Sequence, residues 1–192
     1  CSELSSESAT TIGAGDLTGD GHIDLVVPHR DGGQSFIYVN NGKGEFKSGL
    51  PLGPTESATR AVAVGDISGN GKLDIVLGND QDGGALVYIN HGNLDFEGPL
   101  PLEAPSDLVY SIAIADLDED DDNDIVLGTV EAQSSVLINS GNGRSFSVTQ
   151  FGNGEGAVYG LAIGDVNGDG LPDIVTARSR APNMLYLNAG PG

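Results

Sequence analysis

A nine-residue acidic segment occurs four times in this chain, as DLTGDGHID (16–24), DISGNGKLD (66–74), DLDEDDDND (116–124) and DVNGDGLPD (165–173), at intervals of 50, 50 and 49 residues. Repetition at a fixed period of this length calls for one supersecondary unit stacked on copies of itself, since a single unit cannot bury its own apolar face. Each acidic segment follows an alternating run of large and small apolar residues, TIGAG, AVAVG, SIAIA or GLAIG. Each leads into a short β-branched run, DLVV, DIVL, DIVL or DIVT. The pattern predicts strand, loop, strand.

A third strand is expected at FIYVN, LVYIN, SVLIN and MLYLN, ending at Asn40, Asn90, Asn139 and Asn188. A Gly/Asn turn then leads to Phe46, Phe96 or Phe146, expected to start a fourth strand before a linker rich in Pro, Gly or Ser. No segment carries a 3.6-residue apolar period, so the fold class is all-β. Four-stranded antiparallel sheets repeated at this spacing are β-propeller blades. They are placed at about 11–53, 61–103, 111–152 and 160–192, after a polar tether over 1–10. Alanines 63, 113 and 162 alternate with bulky first-strand residues and give one face on which neighbouring sheets approach closely. The last repeat ends after its third strand, so four repeats are read as an arc of a larger ring. The remaining blades are expected on another part of the chain or on a partner subunit.

The loops carry oxygen at alternate positions, which suits a hard dication of calcium's size with its six to eight oxygen ligands. Side chains at positions 1, 3, 5 and 9 and the carbonyl at position 7 form the expected set. These are Asp16, Thr18, Asp20, Asp24 and the His22 carbonyl in the first loop, and Asp66, Ser68, Asn70, Asp74 and the Lys72 carbonyl in the second. The third has Asp116, Asp118, Asp120, Asp124 and the Asp122 carbonyl; the fourth has Asp165, Asn167, Asp169, Asp173 and the Leu171 carbonyl. Gly21, Gly71 and Gly170 stand at position 6, where a tight loop needs positive φ; Asp121 breaks that rule. Fifteen of the 28 acidic residues fall inside these four loops, a crowding that bound cations would relieve. Up to four Ca²⁺ ions are expected. The second loop, with two carboxylates among its liganding side chains, is expected to bind most weakly.

Eight basic against 28 acidic side chains give a net charge of −20, which disfavours nucleic acid as a partner. No apolar run is long enough for a transmembrane segment. Cys1, followed by SELSSESAT, has two readings: an arbitrary chain boundary, which is favoured, or the lipidated first residue of a bacterial lipoprotein. The histidines, His22, His29 and His91, are read as having no evident Ser or Cys partner, and no catalytic constellation is expected.

With a small-residue strand before each loop and a hydrophobic hairpin and N-x-G-x-x-F-like turn after it, the chain resembles FG-GAP/VCBS-type repeats of the integrin α N-terminal propeller family. The resemblance runs from Thr11 to Asn188. It implies propeller blades, most often seven to a ring, with calcium in the loop joining the first and second strands. The function expected is a calcium-stabilised, non-catalytic extracellular or cell-surface binding or adhesion module. Its partner, a protein or glycan, is expected on the rim opposite the calcium loops, around Thr10, Arg60, Tyr110 and Tyr159. The alternatives are a carbohydrate-active enzyme scaffold of the polysaccharide lyase kind and a lectin.

Overall fold

The computed structural model describes residues 4–47, 49–80, 84–105 and 108–190; Cys1 and the readings attached to it lie outside these. Fifteen strands form four antiparallel sheets, with no α-helix among the described residues. Blade one comprises β1 (Gly13–Gly15), β2 (Asp24–Val27), β3 (Gly33–Tyr38) and β4 (Leu50–Ser57). Blade two has β5 (Thr59–Gly65), β6 (Asp74–Asn79), β7 (Ala85–Asn90) and β8 (Phe96–Pro101). Blade three has β9 (Val109–Ala115), β10 (Asp124–Thr129), β11 (Ser134–Asn139) and β12 (Phe146–Phe151). The fourth sheet has three strands, β13 (Ala157–Gly164), β14 (Asp173–Ser179) and β15 (Met184–Tyr186). Every sheet is a meander in chain order, and the four do not close into a ring. None of the described residues forms a helix long and apolar enough to cross a membrane.

The first strands of successive blades lie side by side, which explains their alternation. Val62 and Val64 of β5 pack toward blade one, and Ile112 and Ile114 of β9 toward blade two. The small residues between them face the following blade: Ala113 and Ala115 meet Leu161 and Ile163. A Cβ added at Gly65 would come within 3.0 Å of Ile114. Large side chains of one blade thus rest on the small ones of the blade before.

Register is shared as well. Gly15, Gly65, Ala115 and Gly164 pair with Asp24, Asp74, Asp124 and Asp173, so in every blade the residue before loop position 1 faces position 9. Phe96 and Phe146 begin their fourth strands as expected, but Phe46 makes only an isolated bridge to Asn40 and β4 starts at Leu50. At the other end of β4 the ladder bulges between Gly33 and Ser35, where the Gln34 amide donates to the carbonyls of Leu52 (2.9 Å) and Gly53 (3.2 Å). That clamp carries the pairing on to Ser57, into a stretch expected to be linker.

The asparagines closing the third strands latch each blade to the one before. Asn90 Nδ2 donates to the Leu17 carbonyl (2.9 Å), Asn139 Nδ2 to Ile67 (2.7 Å) and Asn188 Nδ2 to Leu117 (2.7 Å), and those three acceptors are all position 2 of the preceding acidic loop. The position-2 side chains, Leu17, Ile67 and Leu117, are buried in the same three junctions. Val166, the fourth, meets no further blade among the described residues and is 55% exposed. Asn139→Ala removes two donated bonds, to Ile67 and Asn123, and strands both carbonyls. It is expected to cost ~2–3 kcal/mol, read as a fall in melting temperature of about 4–12 °C.

Candidate metal centres

The four acidic loops share one backbone design. Position 1 folds the loop around its own carboxylate: Asp16 Oδ1 accepts from the amides of Gly19 (2.7 Å) and Asp20 (3.1 Å), and Oδ2 from Gly21 (2.8 Å). Asp165 repeats this with Gly168, Asp169 and Gly170, while Asp66 and Asp116 each take the amides of positions 5 and 6. The Asp16 and Asp165 carboxyls are held below the ordinary carboxylate range, chiefly by the amides of Gly21 and Gly170. Position 5 then accepts from the amide of position 7, at 2.9 Å in all four loops (Asp20 to His22, Asn70 to Lys72, Asp120 to Asp122, Asp169 to Leu171).

Two residues in each loop adopt positive φ, at positions 4 and 6. Glycine serves at both in the first, second and fourth loops. The third reaches the same conformation with Glu119 (φ 62°) and Asp121 (φ 71°), so the missing glycine does not open the loop. The left-handed region costs such residues roughly 1–2 kcal/mol each. Only position 6 was anticipated as a special site; Gly19, Gly69 and Gly168 were the available signal for position 4.

Position 9 is the buried end of the design. Asp24, Asp74, Asp124 and Asp173 are all fully enclosed. In Asp74, Oδ2 accepts from Ile67 N (2.9 Å) and Ser68 N (2.8 Å), and Oδ1 from Asn90 N (2.7 Å). The other three make the corresponding bonds to position 2 and to Asn40, Asn139 and Asn188. This carboxylate therefore ties the loop, its own third strand and, through the asparagine, the preceding blade into one network. Nothing in the acidic motif alone distinguished this pinning role from a ligand's, because the third-strand amide lies 15 or 16 residues away.

In the second and third loops, position 3 bears on whether a dication suits the site. Asp118 Oδ1 and Ser68 Oγ are buried without a hydrogen-bond partner, an arrangement that leaves the cost of desolvation unrepaid. In the third loop the carboxylates of Asp116, Asp118 and Asp120 converge, with one oxygen from each within 4.8 Å of the others. Burial, then the charges of Asp120 and Asp116, push the Asp118 carboxyl above its ordinary range. Burial raises Asp124 too, against the amides of Asn139 and Leu117. An orphaned oxygen among crowded carboxylates fits a hard cation with oxygen ligands.

A raised carboxyl pKa in the fold favours the protonated form, so its contribution to stability is lost as pH rises through the folded-state value. At neutral pH in chelator, Asp118→Asn should therefore raise the melting temperature by about 2–4 °C, the shift expected for ~1 kcal/mol at this length. Titration calorimetry of the same variant should show weakened calcium uptake.

On the opposite rim, Thr10, Arg60, Tyr110 and Tyr159 lie together along one cleft. Arg60 Nε bonds Asp80, and its guanidinium lies 3.9 Å from Asp31. Arg178 is occupied structurally, donating to Asn153 Oδ1 (2.7 Å) and the Pro182 carbonyl (2.6 Å). The expectation that no histidine meets a Ser or Cys fails at His29. Ser5 Oγ lies 2.8 Å from His29 Nε2, and Glu7 Oε2 and the Gln34 carbonyl approach Nδ1 at 3.1 and 2.5 Å; His91 pairs with Glu97 at 3.1 Å. The His29 ring is fully enclosed and both its nitrogens are engaged, so the Ser5–His29–Glu7 chain clasps residues 5–8 to blade one. Sequence distance, 24 residues from Ser5 to His29, hid that contact.

Comparison with solved structures places the fold. A lectin of Agrocybe aegerita, described for specific recognition of non-reducing terminal N-acetylglucosamine, is 22% identical with a TM-score of 0.59 over 92% of this chain and 51% of its own. The Vibrio cholerae biofilm matrix protein Bap1 is 21% identical with a TM-score of 0.53 over 86% of this chain and 23% of its own. This chain thus spans about half the length of the first and a quarter of the second. No curated protein matches the sequence. The FG-GAP-like repeat profile matches residues 16–77, 66–127 and 116–176, each match running from one acidic loop through the next. The loops, the meander blades and the repeat match together make this chain a member of the FG-GAP-like repeat family, built as β-propeller blades.

Proposed function

We propose that this protein is a calcium-stabilised, non-catalytic binding module of the extracellular space, presenting the rim opposite its acidic loops to a glycan. The observation that carries this reading is the contrast between the two rims. On one, four loops repeat a single hydrogen-bond design and end in the blade junctions. On the other, equivalent positions hold Thr10, Arg60, Tyr110 and Tyr159, four positions occupied by three residue types. A scaffold that is constant at its fastenings and variable at one exposed end suits recognition.

Calcium would be held by positions 1, 3 and 5 and the position 7 carbonyl, with position 9 fixing the loop beneath. Bound there, it would supply charge neutralisation and rigidity. Since each loop also forms part of a blade junction, ordering the loop orders the contact to the next blade. Millimolar calcium outside cells suits exposed sites of this class. Similarity to a lectin and a matrix protein supports a glycan partner, and the open ends of the arc leave room for further blades from this or another chain.

Glycan-array binding by the calcium-loaded chain tests the reading. Retention of a defined set of uncharged glycans is expected, with no depolymerisation of polysaccharide substrates. Depolymerising activity, or an array without binding, would refute it.

A further inference from the structure

The pairing register holds a feature shared by the three blades that follow the first. In β5 the ladder slips between Thr59 and Ala61, leaving Arg60 out of register; in β13 it slips between Val158 and Gly160, leaving Tyr159 out. In β9, Val109 pairs with Thr129 and Ser111 with Gly128, so Tyr110 is the extra residue. Each bulge falls six residues before the first aspartate of its loop. A bulge re-aims a side chain and interrupts the ladder, and here it does so at one equivalent position, with a different consequence in each blade.

Successive first strands are adjacent, so the re-aimed side chains form a row. Thr10 Oγ1 donates to the Arg60 carbonyl (2.7 Å), the Arg60 guanidinium lies over the Tyr110 ring at 4.9 Å, and the Tyr110 and Tyr159 rings are 5.5 Å apart. Ser111 Oγ donates to the Val158 carbonyl (2.8 Å), tying β9 to β13 directly beneath the two tyrosines and fixing their spacing. The row borders a cleft of about 290 Å³, whose floor is completed by Thr11, Ser111 and Gly160. Tyr159 is 61% exposed, the largest exposure among the large hydrophobic and aromatic side chains of the described residues.

We propose that this cleft binds the ring of an uncharged pyranose, the terminal sugar of a neutral glycan; the proposal rests on the glycan-binding reading above and names its site. The apolar C–H face of a sugar suits the exposed face of Tyr159, while its hydroxyls suit the free guanidinium N–H groups of Arg60 and the phenol oxygens of both tyrosines. The volume lies at the lower end of small-ligand sites, the scale of a single ring. Charge selects the neutral class. Asp80 and Asp31 already balance Arg60, and a chain of net charge −20 repels anionic sugars. A cationic peptide would use the same tyrosines but would meet the Arg60 guanidinium.

Saturation-transfer NMR with the methyl glycosides of glucose, galactose, mannose and N-acetylglucosamine tests this on the calcium-loaded chain, alongside the array. At least one glycoside should bind. Tyr159→Ala should weaken it about tenfold, the scale of losing one aromatic face, and Tyr159→Phe, which keeps the ring and loses one hydroxyl, should restore most of that loss. Because Tyr159 is exposed, neither change is expected to alter the melting temperature. Arg60→Ala should weaken binding as well. Glycan binding that is indifferent to Tyr159 and Arg60 would overturn this site while sparing the broader reading. No glycan binding at all would overturn both, as would a lysine-rich peptide occupying the cleft in place of every sugar.

Discussion

Removing calcium should lower the melting temperature of this protein by about 10–24 °C. A ligand that binds only the folded state and stands tenfold above its dissociation constant contributes about 1.4 kcal/mol, so four such sites give roughly 5–6 kcal/mol. That is a large share of an ordinary domain's total of about 5–15 kcal/mol. At this chain length each kcal/mol moves the melting temperature by about 2–4 °C. The effect should be cooperative across blades, because Leu17, Ile67 and Leu117 belong at once to the loops and to the cores of the junctions. Differential scanning calorimetry in calcium and in chelator measures it, and superimposable melts would contradict it.

Asp74→Ala should destabilise the chain by about 3–5 kcal/mol with or without calcium. The change removes the acceptor for three amides, Ile67 N, Ser68 N and Asn90 N, two of the bonds being fully buried. Stranded donors in such a setting cost about 1–3 kcal/mol each, partly recovered by relaxation. Asp66→Ala is the informative contrast. Its lost bonds, to the amides of Asn70 and Gly71, are exposed and open to water. Asp66→Ala should therefore fall below wild type in calcium and match it closely in chelator. Denaturant titration of both variants in the two buffers separates the roles; equal behaviour of the pair would show that positions 1 and 9 do the same work. Asp66→Ala is also the cleaner probe of the second loop's affinity, since Asp74→Ala disturbs the junction with blade one through Asn90.

The blades were legible in the sequence because their determinants are local. Strand, nine-residue loop and strand recur in the same order, and the first-strand alternation already separated a bulky face from a small-residue face on which neighbouring sheets approach. What escaped were contacts made between repeats or across a sheet. Asn90, Asn139 and Asn188 were visible as strand ends, but their acceptors at Leu17, Ile67 and Leu117 lie 71 to 73 residues earlier in the chain. The bulges at Arg60, Tyr110 and Tyr159 change the ladder's register without any glycine or proline at the bulged position itself. In blade one, a single amide side chain, Gln34, clamps the fourth strand at Leu52 and Gly53 beside a bulge.

The acidic loops illustrate the same division. Alternating oxygens and the position 6 glycines were apparent at once, whereas Asp121 looked like a fault. In the fold it occupies the same left-handed conformation as those glycines, within the loop that gathers the tightest group of carboxylates. The repulsion within this loop is what a cation would relieve.

Counting calcium ions bound per folded chain, by isothermal titration of protein freed of metal, bears most directly on this account. Between two and four ions per chain are expected, with affinities reaching the millimolar range or tighter and with loss of one event in Asp66→Ala. A chain that folds fully and takes up no calcium at millimolar concentration would contradict it.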